Sequence, residues 1–114
     1  MTPDSGNIHA GLPDAGRGEV FEELLSRGGV RIERIVSRGQ ATATGEWYDQ
    51  GWDEWVLLLS GSAGVLIDGE KTPRTLQAGD YLLLPAGCRH RVEWTEQTGD
   101  TVWLAIHIDL PANE

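Results

Sequence analysis

The side chain best suited to chemistry in this sequence is His90, which ends the stretch GDYLLLPAGCRH. An imidazole titrates near neutral pH, so it can act as a general acid or base or as a metal ligand. A turn pair opens the stretch, a short apolar run follows, and Pro85 and Gly87 then interrupt the run. A rigid break directly before a strand aims a histidine from a fixed backbone. Its chemistry therefore depends on which side chains meet it.

Two adjacent carboxylates, Asp53 and Glu54, precede the apolar run WVLLL. Adjacent side chains of a strand point to opposite faces, so these two are not expected to act as a pair. Asp53 lies in the turn-forming cluster DQGWD and is interpreted as a turn residue.

Alternation of apolar and polar residues dominates the chain after Gly29 and predicts a series of short strands. The first begins at Val30, and the others cover residues 41–48, 55–59, 63–67, 70–76, 81–84, 91–95 and 101–108. Pro73 places the 70–76 strand at an edge or at a bulge. Turn signals at close spacing indicate an all-β sandwich or barrel.

One short helix is predicted ahead of the strands, over Glu19–Arg27, because four apolar residues there follow helical spacing. Gly28 and Gly29 would end it. Residues 1–17 are rich in Gly, Pro and Asp and carry no periodicity, so we expect a flexible N-terminal arm, poorly ordered or draped over the barrel or a partner. Residues 18–114 are expected to form a single domain.

The spacing around the candidate residues resembles the two sequence motifs of the cupin family. The stretch GDYLLLPAGCRH matches the second motif through its glycine, proline, glycine and histidine, His90. The first motif is matched by its acid, Glu54, and by its glycine, Gly61. The resemblance covers about residues 30–108 and implies a double-stranded β-helix, the cupin jelly-roll barrel. It also implies that His90 and Glu54 converge inside the barrel near one open end.

Members of this family commonly bind Fe, Mn, Ni or Zn through three histidines and a glutamate. They include enzymes as well as sugar-binding and sensory modules, and many small members form homodimers. The resemblance therefore implies a divalent transition metal, a small-molecule ligand and a homodimer for this chain.

The pair of histidines in the first motif is absent, and either Tyr48 and Gln50 or Trp47 and Asp49 take its place. A metal would then be held by Glu54, His90 and Asp49, with Gln50 adding a carbonyl oxygen. Such a set binds more weakly than three histidines and favours harder ions. Without a metal, Glu54 would instead hold the His90 ring in one tautomer.

The remaining candidates for ligand binding are Tyr48, Trp47 and His107. The two aromatic residues could form a wall against a planar or sugar ligand, or they could fill the pocket. His107 alternates in phase with Trp103 and Ala105 in the last strand. It is a site residue if that phase faces inward and a surface residue if it faces outward.

The net charge of −9 and the single lysine argue against binding to nucleic acids or anionic membranes. A single cysteine excludes an intrachain disulfide and suits a reducing, cytoplasmic location. The N-terminus shows no secretory pattern.

Three functions are compatible with these observations. The first is a small-molecule enzyme with His90 and Glu54 as catalytic residues, with or without a metal. The second is a non-catalytic binding or sensor module that uses the same pocket. The third is a structural or partner-binding protein that has tryptophans in an interface and a filled pocket.

Overall fold

The computed structural model describes residues 2–111, and over that range it contains eight β-strands and no helix. The strands are β1 Val20–Arg27, β2 Val30–Ser37, β3 Asp53–Ser60, β4 Ser62–Ile67, β5 Arg74–Gln77, β6 Tyr81–Leu84, β7 His90–Thr95 and β8 Thr101–Ile108. They form a five-stranded sheet in the order β1-β2-β8-β3-β6 and a three-stranded sheet in the order β5-β4-β7. All pairs are antiparallel. The eight strands in two sheets confirm the all-β prediction.

The hydrophobic core lies between the inner faces of the two sheets. Apolar side chains alternate along β3 and β8, so that one face of the large sheet is buried, as expected for a two-layer β fold. The buried cluster consists of Val56, Leu58, Ala63, Val65, Leu76, Leu84, Trp103 and Ala105.

The central strand β8 determines which polar side chains share the inner face. Directly paired residues of neighbouring strands point to the same side of a sheet. His107 pairs with Arg31 of β2 on one side and with Glu54 of β3 on the other. Ala105 likewise pairs with Glu33 and Val56. The register therefore brings Glu33, Glu54 and His107 to one end of the same inner face.

The predicted helix over Glu19–Arg27 is wrong, because this segment forms β1 and pairs antiparallel with β2. A register shift between Glu23 and Leu25 inserts Leu24 as a bulge, which changes the side-chain phase and makes the apolar spacing resemble that of a helix. Gly28 and Gly29 both have positive φ, at 55° and 86°, and form the two-residue turn of a β-hairpin.

The predicted strand over residues 41–48 is also absent, except for one bridge between Tyr48 and His90. The predicted strand over 70–76 is shorter and begins only after Pro73. Proline has no amide hydrogen to donate to a neighbouring strand, which explains the later start. No helix with the length and hydropathy needed to cross a membrane occurs among residues 2–111.

The N-terminal arm lies against the outer face of β2. The guanidinium of Arg34, only 8% exposed, donates hydrogen bonds to the carbonyl oxygens of Ile8, Ala10 and Gly11. It also pairs with Glu22 at 2.8 Å. One buried cation thus connects the arm to two strands of the sheet.

Candidate functional site

A cavity of about 100 Å³ opens between the sheets at the end of the barrel where His107 lies. It is smaller than the ~300–1,000 Å³ typical of sites for drug-sized ligands, so it suits a ligand of few atoms. Its walls are mainly apolar and aromatic, with a small set of ionisable side chains among them. The lining residues are Glu19, Phe21, Glu33, Ile35, Tyr48, Glu54, Val56, Val65, Leu84, His90, Val92, Trp103 and His107.

His90 is positioned by the tight turn that precedes β7. The amide of Cys88 donates to the Pro85 carbonyl at 2.9 Å, and Gly87 adopts a φ of 78° that favours glycine. The Nδ1 atom of His90 lies 2.9 Å from the Cys88 carbonyl oxygen. A carbonyl only accepts hydrogen bonds, so Nδ1 carries a proton and donates it. The Nε2 atom faces the cavity and makes no hydrogen bond to any described residue.

Glu54 faces His90 from β3. Its Oε1 lies 3.9 Å from His90 Nε2, longer than a hydrogen bond, and accepts a hydrogen bond of 2.6 Å from the Gln50 amide. Glu54 is 8% exposed and His90 is 5% exposed, so water screens the pair little. Asp53 points the other way, as alternation requires, and accepts a hydrogen bond from the Ala86 amide at 2.8 Å.

Tyr48 and Gln50, rather than Trp47 and Asp49, face the site. Tyr48 exchanges backbone hydrogen bonds with His90. Their rings are stacked, with 5.4 Å between the ring centroids and an angle of 22° between the ring planes. The Trp47 ring lies outside the cavity, beneath the guanidinium of Arg89 at 5.0 Å. Asp49 is exposed and does not line the cavity. The positions of Trp47 and Asp49 thus differ from the expectation that they contact a ligand or a metal. Tyr48, which lies between them, forms the bridge to His90 and lines the cavity, and its two neighbours lie outside it.

His107 faces inward, together with Trp103 and Ala105, and belongs to a buried hydrogen-bonded chain. The indole N–H of Trp52 donates to His107 Nδ1 at 2.9 Å, and His107 Nε2 lies 2.6 Å from Glu33 Oε1. An indole N–H can only donate, so Nδ1 is unprotonated and Nε2 carries the proton that binds Glu33. His107 is therefore an uncharged ring with both nitrogens occupied.

Two acidic residues that line the cavity, Glu33 and Glu19, are not among the candidates that the sequence singles out. Glu33 lies in a strand whose apolar residues change face between Ile32 and Ile35, which obscures its inward direction. Glu19 lies at the start of the segment predicted to form a helix. The signal that could have found Glu33 is its spacing of two from Ile35, which shares the inner face.

Burial and negative charge shift two titrations at the cavity. Burial raises the pKa of Glu19, and a hydrogen bond from the Ser37 hydroxyl partly offsets that rise. Burial also raises the pKa of Tyr48, and the negative charges of Glu19, Glu54 and Glu46 raise it further. The cavity mouth therefore lies in a negative electrostatic potential.

The donor set fits a metal poorly. Within residues 2–111, no three His, Cys, Asp or Glu side chains converge in a geometry that could hold an ion. His90 Nε2 and Glu54 remain as two donors, whereas His107 is occupied by Trp52 and Glu33. Transition-metal sites normally take at least three protein ligands, so two donors alone do not complete one.

Comparison with known proteins identifies similar sequences and folds. The Cupin domain family matches residues 34–107. A protein from Ralstonia eutropha JMP134 with the provisional name mannose-6-phosphate isomerase is 50% identical, with a TM-score of 0.91 over 94% of this chain and 99% of that one. No curated protein matches the chain.

Two further structures are similar in fold. A cupin superfamily protein from Desulfitobacterium hafniense is 20% identical, with a TM-score of 0.67 over 82% of this chain and 79% of that one. A cupin-family protein with a double-stranded β-helix fold from Methanocaldococcus jannaschii is 12% identical, with a TM-score of 0.71 over 96% and 93% of the two chains. These likenesses confirm the double-stranded β-helix that the sequence predicts.

Proposed function

Because this chain belongs to the cupin family, we propose that it is a small-molecule enzyme in which His90 moves a proton to or from a ligand bound beside Glu54. The observation that carries the proposal is the orientation of the His90 ring. Its Nδ1 donates to the Cys88 carbonyl, so that in the neutral ring Nε2 presents a lone pair to the cavity. A buried imidazole in this orientation is suited to general acid–base catalysis.

Glu54 is the positioning partner of this base. When Nε2 accepts a proton, the ring becomes a cation 3.9 Å from a carboxylate in a largely apolar cavity. At that distance and low dielectric, the carboxylate stabilises the imidazolium strongly compared with water. Gln50 keeps the carboxylate in place through its hydrogen bond, and stacking on Tyr48 restrains rotation of the ring. General acid–base catalysis of this kind contributes about 10²–10⁴-fold in rate.

The name of the Ralstonia protein suggests a reaction type for this chain more than a substrate. Isomerisation of a hydroxy carbonyl compound moves a proton between neighbouring atoms, which one base can perform by accepting the proton and returning it. A phosphate group would need a cation, and no Lys or Arg is among the cavity-lining residues within 2–111. The cavity volume of about 100 Å³ is also small for a sugar phosphate. We therefore extend to this chain the proton transfer and not the phosphorylated sugar.

A divalent transition metal at His90 and Glu54 stays a prediction, and we assign it no step. If a metal is bound there, protein purified without a chelator contains close to one equivalent and His90→Ala loses it.

A homodimer and a cytoplasmic location also stay predictions. Exposed apolar side chains at both edges of the large sheet, Leu24, Tyr81 and Leu83, would suit contact with a second copy.

Solvent deuterium exchange tests the proposed reaction. The protein is incubated in D₂O with a panel of small hydroxy carbonyl and amino carbonyl compounds, and deuterium at carbon is followed by proton NMR. We expect exchange with at least one compound, and a fall of about 10²-fold or more in His90→Gln. Binding without any exchange would favour a non-catalytic binding module, and exchange that survives in His90→Gln would contradict the role of His90.

A further inference from the structure

The three carboxylates of the cavity are each held by an uncharged donor. Glu54 accepts a hydrogen bond from the Gln50 amide, and Glu19 accepts one from the Ser37 hydroxyl. Glu33 is hydrogen-bonded to the uncharged ring of His107. Each hydrogen bond satisfies an oxygen but leaves the negative charge of an ionised carboxylate uncompensated.

No cation within residues 2–111 neutralises this group closely. Arg31 approaches Glu33 only to 3.9 Å, and its side chain is 41% exposed, so solvent weakens the pair. Glu54 and Glu19 form no ion pair with any described Arg or Lys. The walls of the cavity therefore lack a positive charge that matches their negative ones.

A second observation, independent of the carboxylates, also indicates that a positively charged hydrogen-bond donor is missing from the cavity. His90 is 95% buried, and its Nε2 is an unpaired acceptor aimed into the cavity. Nε2 and Glu54 Oε1 lie 3.9 Å apart, so one nitrogen about 2 Å to the side of the line that joins them would be about 2.8 Å from both acceptors. A protonated amine carries the donors that both atoms need and the charge that Glu54 lacks.

The rest of the cavity suits the carbon skeleton of such a ligand. Phe21, Tyr48 and Trp103 are aromatic lining residues, and Ile35, Val56 and Leu84 are aliphatic ones. Aromatic faces attract organic cations, and aliphatic walls favour an apolar body. A bare metal ion would gain nothing from these walls, and an anion would be repelled by the carboxylates.

We propose that the ligand of this cavity is a small organic cation: an amine that places its ammonium group between His90 Nε2 and Glu54 and its compact apolar part against the aromatic wall. This inference rests on the proposed function, because it names the class of compound on which the same site acts. It excludes anionic substrates.

Three probes of the same shape and different charge test the proposal on the full chain at pH 7. Isobutylamine is cationic, isobutanol is neutral and isobutyrate is anionic. Binding is measured by ¹H–¹⁵N NMR titration, which detects millimolar affinities and reports folding in the same spectrum. We expect isobutylamine to bind about tenfold or more tightly than isobutanol, and isobutyrate more weakly than either.

A matched pair of variants tests whether the charge of Glu54 causes the preference for the amine. Glu54→Gln removes the negative charge in the cavity, and the tenfold preference for the amine over isobutanol should disappear. Asp49→Asn removes one negative charge from an exposed position outside the cavity and should keep the preference. The comparison of probes on the unaltered protein needs neither variant to fold.

Each outcome of the titration decides between the two proposals. Equal binding of amine and alcohol, or tighter binding of isobutyrate, overturns the cationic ligand and leaves the deuterium-exchange test of the proposed function intact. Binding of none of the three probes overturns the cationic ligand and also removes the support for a small-molecule cavity. A preference for the amine that persists in Glu54→Gln overturns the placement of the ammonium group.

Discussion

Replacement of Trp52 by phenylalanine tests the hydrogen-bonded chain that holds His107. The change removes the indole N–H that donates to His107 Nδ1 at 2.9 Å and keeps an aromatic ring in place. His107 is 8% exposed, so water cannot easily replace the lost donor. A buried acceptor without a partner costs about 1–3 kcal/mol. We therefore expect Trp52→Phe to lower the free energy of unfolding by about 1–3 kcal/mol.

Urea unfolding followed by circular dichroism measures this loss, and the melting temperature should fall by roughly 4–8 °C for each kcal/mol. Trp47→Phe is the matched control, because the Trp47 indole N–H donates no hydrogen bond among the described residues and its ring contacts Arg89 and Arg91. The contact with the exposed Arg89 is worth about 0.5–1 kcal/mol, and phenylalanine keeps an aromatic face toward both arginines, so the control should lose less. Equal losses in the two variants would refute the assignment of the Trp52–His107 bond.

Three further substitutions test the raised pKa of Glu19, the close packing of Gly64 against Trp94, and the attachment of the N-terminal arm by Arg34. Glu19→Gln should raise the melting temperature at pH 7, because burial raises the pKa of this carboxyl and makes its ionised form unfavourable in the folded state. The gain should shrink as the pH falls from the raised pKa of folded Glu19 toward the ordinary value of 4.5, and it should be absent below 4.5, where Glu19 is protonated in both states. Gly64→Ala should destabilise by about 1–3 kcal/mol in urea, because its Cβ would overlap the Trp94 indole ring, and displacement of that ring should shift the fluorescence to the red. Arg34→Met should make the arm more sensitive to subtilisin, because it removes the hydrogen bonds that hold three arm carbonyls.

Controls and contrary outcomes are specific to each change. A gain in Glu19→Gln that grows on acidification would have the wrong sign for a raised pKa. Gly18→Ala places its Cβ in open space at a backbone angle that alanine tolerates, so a loss equal to that of Gly64→Ala would rule out the tryptophan contact as the cause. Arg38 is exposed and pairs with Asp100, and equal proteolysis of Arg38→Met would argue against the role of Arg34.

The sequence predicts the strands around the site well wherever turns delimit them. Strands β6 and β8 match the predicted bounds to the residue, and β7 begins one residue earlier, at His90. Glycine, proline and asparagine or aspartate residues at the ends of an apolar run determine where a strand can start and stop. The β1 segment is wrongly predicted as a helix, because a bulge at Leu24 gives this strand the apolar spacing of a helix.

The partners of the candidate site are harder to predict because they depend on register. The sequence places His90 and Glu54 together only through the motif resemblance, and it leaves the faces of Trp47 and Tyr48 open. Glu33 and His107 meet because β2 and β8 pair in one register, and a shift of β2 by one residue would turn Glu33 to the outer face, away from His107. Long-range pairing of this kind leaves no local trace in the sequence.

The protonation of the two buried histidines tests the central claim most directly. A long-range ¹H–¹⁵N spectrum of protein labelled at histidine reads the tautomer of each ring, with His9 in the arm as an exposed reference. We expect opposite tautomers: a proton on Nδ1 of His90, with Nε2 free toward the cavity, and a proton on Nε2 of His107. A proton fixed on Nε2 of neutral His90 would contradict its role as the base that faces the ligand.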